Sequence, residues 1–291
     1  MLYITTSSGV LRHDPESDEL RTLIPLDDRQ WTGFFGIAFH QNSRTILAAC
    51  RQRLGRKRVR KHSTDVILHR IDPRTETSEE VATIHDIHDV HQIAVWNDTL
   101  FLTDTGLNRL HHFDLSTGLT TSILPVGTQR DDVHHLNALL IHEENLLVGL
   151  NNRGHRDAEI LRIPLAALAG DSDKVDALSL GPVTPITGFA HTHDLEPFDE
   201  GLICCASHDG LVLRVDEPGV LIDVGGWTRG LAVDGDTLWV GISQFAKRSI
   251  RHSNRVDGEL RQLDVHTGEC LRSISLMGVG QVHDLIIQID D

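Results

Sequence analysis

Three histidines open segments of closely similar build in this chain: His91-Gln-Ile-Ala-Val, His193-Asp-Leu-Glu-Pro-Phe and His283-Asp-Leu-Ile-Ile. Three more segments of the same build begin at Phe35, Asn137 and Arg229. Neutral imidazole is a favoured ligand for zinc, iron, nickel and copper, and three protein ligands beside one open position is the arrangement of a catalytic zinc site. His91, His193 and His283 are therefore candidate ligands for a divalent metal ion, zinc or iron. The residues two positions earlier are Gly33, Asp89, His135, His191, Trp227 and Gln281, and they share a face with the openers if the segments are extended. Asp89, Gln281 and Asn137 are then placed to fix the histidine tautomers. His135 or His191 is a candidate general acid or base, an imidazole pKa of about 6.5 being suited to proton transfer near neutrality. Arg229, always charged, is the group to grip an anionic substrate, with Asn137, Trp227 and Gln281 as further substrate contacts. The plainer alternative is that these histidines only hydrogen-bond water and carbonyls in a polar channel. Three in phase at one repeat position weigh against it.

Such residues need a scaffold that brings six distant segments to one ring. Helical periodicity is nearly absent, and short apolar runs recur between Asp, Gly, Asn and Thr turns, which is an all-β pattern. His91-Gln-Ile-Ala-Val-Trp-Asn-Asp-Thr-Leu-Phe-Leu and Arg229-Gly-Leu-Ala-Val-Asp-Gly-Asp-Thr-Leu-Trp-Val match almost position for position. Each unit is followed by a strand pair such as Arg109-Leu-His-His-Phe-Asp-Leu-Ser-Thr-Gly. Six units of four strands predict a six-bladed β-propeller whose first strands line a central channel. The last unit holds only one strand, at about 283–289, and the chain begins with what look like three, at about 1–25. These ends are expected to complete one blade and remove the free sheet edges, making 1–291 a single propeller domain.

The unit starts lie 56, 46, 56, 36 and 54 residues apart, so long and short units alternate. The extra length follows strand two, at Arg51–Thr64, Asn151–Asp157 and Ser243–Asp257, where the short units have glycine turns at Gly9, Gly106 and Gly210. These inserts carry Arg51, Arg53, Arg56, Lys57, Arg58, Arg60 and Lys61, then Arg153 and Arg156, then Lys247, Arg248, Arg251 and Arg255. Strand two returns to the mouth where strand one starts. The loops at 51–61 and 247–255 are thus expected to form a basic collar that draws an anion to the histidine ring. Solvated loops or a subunit contact are the simpler readings. His69, His111, His112 and His266 fall on outer strands and are read as structural.

Composition narrows the classes. Of 291 residues, 40% are hydrophobic and 24% charged, and no apolar run approaches the ~18 residues that cross a bilayer, so no membrane partner is expected. A net charge of −15 argues against general nucleic-acid binding. Met1-Leu2-Tyr3-Ile4-Thr5-Thr6 reads as a strand and lacks a basic region before an apolar one, and a cytoplasmic location is expected. Cys50, Cys204, Cys205 and Cys270 lack zinc-ribbon spacing and read as reduced, buried thiols. There is no G-x-S-x-G elbow, Walker loop or H-E-x-x-H, and Gly278-Val-Gly280 is too short for a dinucleotide loop.

The repeat resembles the six-bladed propellers that include NHL-repeat proteins, gluconolactonase-like enzymes and the peptidyl-hydroxyglycine amidating lyase. The lyase holds a catalytic zinc with three channel histidines beside an arginine and a tyrosine, to which His91, His193, His283 and Arg229 are similar in kind. The only tyrosine here is Tyr3, which opens no channel strand, so that reaction does not carry over. Gluconolactonase-like enzymes use carboxylate and asparagine ligands, and only Asn137 matches. The leading expectation is a metal-dependent lyase or hydrolase acting on a small anionic or polar substrate. The alternatives are a non-heme iron oxygenase using the same histidines, or a non-catalytic propeller that binds a ligand or a protein through its basic loops.

Overall fold

The computed structural model describes residues 1–26, 31–52, 64–128, 131–168, 175–217, 219–247, 250, 253 and 255–288. Six antiparallel four-stranded sheets form the blades of a propeller. Blade I pairs β1 (Leu2–Thr6), β2 (Gly9–Asp14) and β3 (Glu19–Pro25) with the last strand of the chain, and blade II holds β4 (Trp31–His40), β5 (Thr45–Gln52), β6 (Thr64–Asp72) and β7 (Thr77–Ile87). Blade III holds β8 (Ile93–Trp96), β9 (Thr99–Asp104), β10 (Arg109–Asp114) and β11 (Leu119–Pro125), and blade IV β12 (Leu136–His142), β13 (Asn145–Leu150), β14 (Ala158–Pro164) and β15 (Val183–Ile186). Blade V holds β16 (Thr192–Phe198), β17 (Gly201–Ala206), β18 (Leu211–Arg214) and β19 (Gly219–Asp223), and blade VI β20 (Trp227–Asp234), β21 (Thr237–Ser243), β22 (Gly258–Asp264) and β23 (Cys270–Leu276). The last strand, β24 (Val282–Ile287), is the inner strand of blade I and pairs Leu2 with Ile287 through Thr5 with Asp284. The N- and C-terminal strands thus share one blade, as the truncated last repeat implies.

Every blade face meets a neighbouring blade, so apolar residues are buried on both sides of the inner strands. Leu2 to Thr6 are all buried, whereas the outermost β3 is mostly exposed. The apolar clusters sit between successive blades: Tyr3, Phe34, Ile46 and Ile71 join blades I and II, and Leu2, Ile4, Trp239 and Leu285 join VI and I. Cys50, Cys204 and Cys205 are buried free thiols, but Cys270 is exposed. It starts β23, a solvent-facing outermost strand, so the expectation of four buried cysteines is corrected at that position. Among the described residues no helix is long and apolar enough to cross a membrane.

Two local features shape the channel. The inner-strand pairing slips next to the ring residues: Phe34 pairs with Cys50 and Gly36 with Ala49, Leu136 with Leu150 and Ala138 with Gly149, and Thr228 with Ile242 and Leu231 with Val240. The extra residues, Phe35, Asn137 and Arg229-Gly230, sit in bulges, which re-aim side chains that regular alternation would alternate in and out. In addition, Asp89, His135 and His191 enter their blades with positive φ, at 89°, 51° and 57°. The face-sharing expected of residues two positions before the ring is therefore corrected at Asp89, His135 and His191, which precede the regular strand in left-handed conformations that L side chains rarely adopt.

Candidate functional site

The six ring positions converge on one mouth of the channel, and the three short blades repeat one arrangement there. In each, the inner-strand histidine meets a hydroxyl from the end of the second strand. Ser207 Oγ lies 2.7 Å from His193 Nδ1, Thr105 Oγ1 3.2 Å from His91 Nδ1, and Ser7 Oγ 3.0 Å from His283 Nε2. One nitrogen of each imidazole is anchored this way, which fixes the ring planes. Ser7, Thr105 and Ser207 directly precede or lie within the short glycine turns noted in the sequence.

Arg229 stands among these rings. Its Nη2 lies 2.8 Å from His193 Nε2, and a guanidinium has no acceptor, so His193 accepts there and carries its proton on Nδ1. Consistent with a neutral ring, burial and then the Arg229 charge hold the His193 pKa well below its usual value. Burial, His135, Arg229 and Arg51 do the same to His91. Arg229 is 6% exposed, with its Cζ 5.7 Å from the Trp227 ring.

His135 packs edge-on to His91, with centroids 5.0 Å apart, and its Nδ1 lies 2.8 Å from Asp132 Oδ1. A histidine oriented by a carboxylate is the usual form of a general acid or base. His191 lies at the rim, 5.7 Å from the exposed His208 ring, and burial lowers its pKa. Phe35 stacks on His283 at 4.2 Å. Asn137 donates from Nδ2 to the Thr192 carbonyl at 2.5 Å. Gln281 is fully buried, and its side-chain amide makes no hydrogen bond among the described residues.

The basic collar is corrected in part. Arg51 is 5% exposed, forms an ion pair with Asp89 and lies over the Phe35 ring at 3.9 Å; it is the penultimate residue of β5 and a buried part of the ring wall. Arg153 faces Asp132 at 3.8 Å and Arg156 pairs with Glu159 at 2.9 Å, so acids offset the positive charge of that loop. Lys247 and Arg255 are exposed. Arg53, Arg56, Lys57, Arg58, Arg60, Lys61, Arg248 and Arg251 lie outside the described residues.

His91, His193 and His283 share the mouth, but among the described residues no three His, Cys, Asp or Glu side chains are disposed to hold a metal ion. The donor set suits zinc or iron in kind. In position, Arg229 occupies the Nε2 face of His193.

A second polar tier, one residue further along the same strands, escaped the sequence reading. In the short blades the histidine is followed by Gln92, Asp194 or Asp284; in the long blades the ring residue is followed by Gly36, Ala138 or Gly230. Asp194 Oδ2 accepts from Gly230 N at 2.7 Å, and Asp284 Oδ2 accepts from Ile37 N at 3.0 Å and from Gln92 Nε2 at 2.7 Å. Each carboxyl thus ties its blade to the next. At Gly230, with φ of 77°, a Cβ would lie 2.7 Å from Leu285 Cγ, so only glycine permits this approach. With Glu196, these acids line a cavity of ≈ 180 Å³ walled by Leu139, Leu231 and Leu285. Burial raises Asp194 to about 6, burial and Asp194 raise Glu196 to about 8, and burial and Asp194 push Asp284 well up. The signal was present in the repeated His-Asp pair, but a strict period of two assigns consecutive residues to opposite faces and hides it.

No family model and no curated protein matches the chain. Solved structures do. A chain of the crystal structure of a nidogen/laminin complex superposes with a TM-score of 0.64 at 11% identity, covering 98% of this chain and 97% of that one. A protein of unknown function from Bacteroides caccae gives 0.61 at 12% identity, with coverage of 98% and 97%. At such identities the likeness establishes the fold, and the chain is a six-bladed β-propeller.

Proposed function

We propose that the histidine-lined mouth binds a small anionic molecule through Arg229 and acts on it by proton transfer through the surrounding imidazoles. The observation that supports this most directly is the buried Arg229 guanidinium donating to a neutral His193 at 2.8 Å. A cation that keeps its neighbours uncharged makes the mouth electropositive, and a planar guanidinium matches a carboxylate or phosphate in two-point contact. His135, held by Asp132 at 2.8 Å, is the proton carrier in this reading. Lyase or hydrolase chemistry fits such a set. The test is thermal stabilisation by acetate, phosphate and dicarboxylates. At least one should raise the melting temperature of the parent and leave Arg229→Ala unmoved; equal shifts in both proteins, or none in the parent, would refute the reading.

A metal-centred form rests on a separate observation, the three hydroxyl-anchored histidines of alternate blades. Anchoring one nitrogen presents the other for ligation, and His91, His193 and His283 would hold the ion once Arg229 leaves His193 for the substrate anion. A bound zinc or iron ion would polarise substrate oxygen or activate water; iron would also open the oxygenase alternative. Elemental analysis of tag-free protein should find about one equivalent, reduced in His91→Ala and His283→Ala. No metal after anaerobic reconstitution with zinc or ferrous iron would remove this form and leave the anion site standing.

A further inference from the structure

The mouth is not uniform around its rim. Between blades V and VI lies a cluster of rings that neither the channel core nor the hydroxyl-anchored histidines account for. Phe245 follows β21 by two residues and is 58% exposed. Its ring lies 5.5 Å from Trp227 and 5.9 Å from His208, each edge-on. Trp227 and His208 are 6.2 Å apart, which closes a triangle of three rings, and His191 joins it through His208 at 5.7 Å. Trp227 continues inward to Arg229, whose Cζ is 5.7 Å from its ring.

Each member enters the same end of the channel. Ser207, the neighbour of His208, bonds to His193, and Trp227 pairs across the ladder with Ser243, two residues before Phe245. Apolar surface left in water gains free energy when another apolar group covers it. Here that surface stands beside the one ring position occupied by an arginine. At the histidine walls of blades I and III the neighbouring rings, Phe35 with His283 and His91 with His135, pack against one another within the mouth, and Phe35 is 2% exposed.

We infer that the ligand of this mouth is a flat aromatic anion, its carboxylate or phosphate held by Arg229 and its ring laid against Phe245, Trp227 and His208. The inference rests on the reading of Arg229 as the anion-binding group and adds the chemistry of the rest of the ligand. Aromatic pairs gain from edge-to-face and offset contact beyond simple burial, and a triangle of edge-on rings presents such contacts to a fourth ring. An aliphatic acid of the same charge would satisfy Arg229 and leave Phe245 wet.

Ligand-observed NMR titration with 2-naphthoate and acetate separates the two parts of the idea. Naphthoate should bind the parent about 10-fold or more tighter than acetate. Phe245→Ala, a change at an exposed position, should weaken naphthoate about 3- to 10-fold and leave acetate within about twofold, whereas Arg229→Ala should weaken both. Equal affinity of the parent for the two acids, or naphthoate binding that Phe245→Ala does not alter, would overturn the aromatic assignment and leave the anion site intact. Failure of both acids to bind the parent would overturn this inference, and with phosphate and dicarboxylates also without effect on the melting temperature it would overturn the anion site as well.

Discussion

Two tiers of the same channel, one residue apart along the same strands, have opposite electrostatic character. At the mouth, His91 and His193 are kept neutral by burial and by arginine; below it, burial and the neighbouring Asp194 push the carboxyls of Glu196 and Asp284 up. Burial disfavours the charged form of either type of group, so the imidazoles of His91 and His193 and the carboxyls of Glu196 and Asp284 are shifted toward their uncharged forms for the same reason. What differs is what their hydrogen bonds do. The lower tier bonds to backbone N–H groups of the next blade and serves the ring; the upper tier bonds to hydroxyls and to Arg229 and leaves its imidazoles turned to the mouth.

The sharpest way to break this division is Asp284→Ala. Three buried donors, Ile37 N, Gln92 Nε2 and Leu285 N, lose their acceptor, and a buried unsatisfied group costs about 1–3 kcal/mol. Urea unfolding should show a loss of about 3 kcal/mol or more; a loss below about 1 kcal/mol would mean that the lower tier does not tie the blades. His283→Ala, one residue away, should cost less, because it removes one partner of the Ser7 hydroxyl, whose oxygen keeps the hydrogen bond it accepts from Gln281 N at 3.2 Å.

The next effect is a pH dependence of opposite sign in the two tiers. Glu196 is raised from 4.5 to about 8, so the folded protein keeps a proton that the unfolded chain releases over that range, and stability falls as pH rises through it. Glu196→Gln should remove that fall and raise stability at pH 8 relative to pH 5, by on the order of 1–3 kcal/mol. An unchanged slope would show that Glu196 is ionised in the folded channel.

The smaller effect lies on the acid side. His91 and His193 are held well below 6.5, so the unfolded chain takes up protons that the folded one refuses, and stability falls as pH drops below about 6.5. Imidazole NMR should report both rings neutral below pH 6, with His193 protonated on Nδ1. A His193 resonance that titrates near 6.5 would dissociate it from Arg229.

Much of this architecture could be read from the repeat. The near-identity of the segments at His91 and Arg229 gave the inner strands, and the incomplete final unit gave the shared blade. The ring of Phe35, His91, Asn137, His193, Arg229 and His283 followed from phase alone. Phase could not reveal the bulges, because a bulge breaks the period on which the reading depends; Asp194 and Asp284 were therefore assigned to no face. Ser7, Thr105 and Ser207 recur in register, but a lone hydroxyl carries no signal until its partner is known. Arg51 was grouped with its basic neighbours in sequence, while Asp89 and Phe35, distant along the chain, decide its place.

The shared blade also has a mechanical meaning. β1 and β24 run antiparallel, with Met1 N 3.0 Å from the Gln288 carbonyl, so the two ends of the paired segment lie at the same place. Load applied between them does not shear the pairs together but peels them singly, from Leu2–Ile287 toward Thr6–Val282. A zipper of this kind opens under less force than the same bonds loaded in parallel. The last pair to part adjoins Ser7 and His283, whose contact spans 276 residues of chain. Tension would therefore reach the histidine mouth only after the rest of the seam had opened, and a ligand seated there would act as the final clasp.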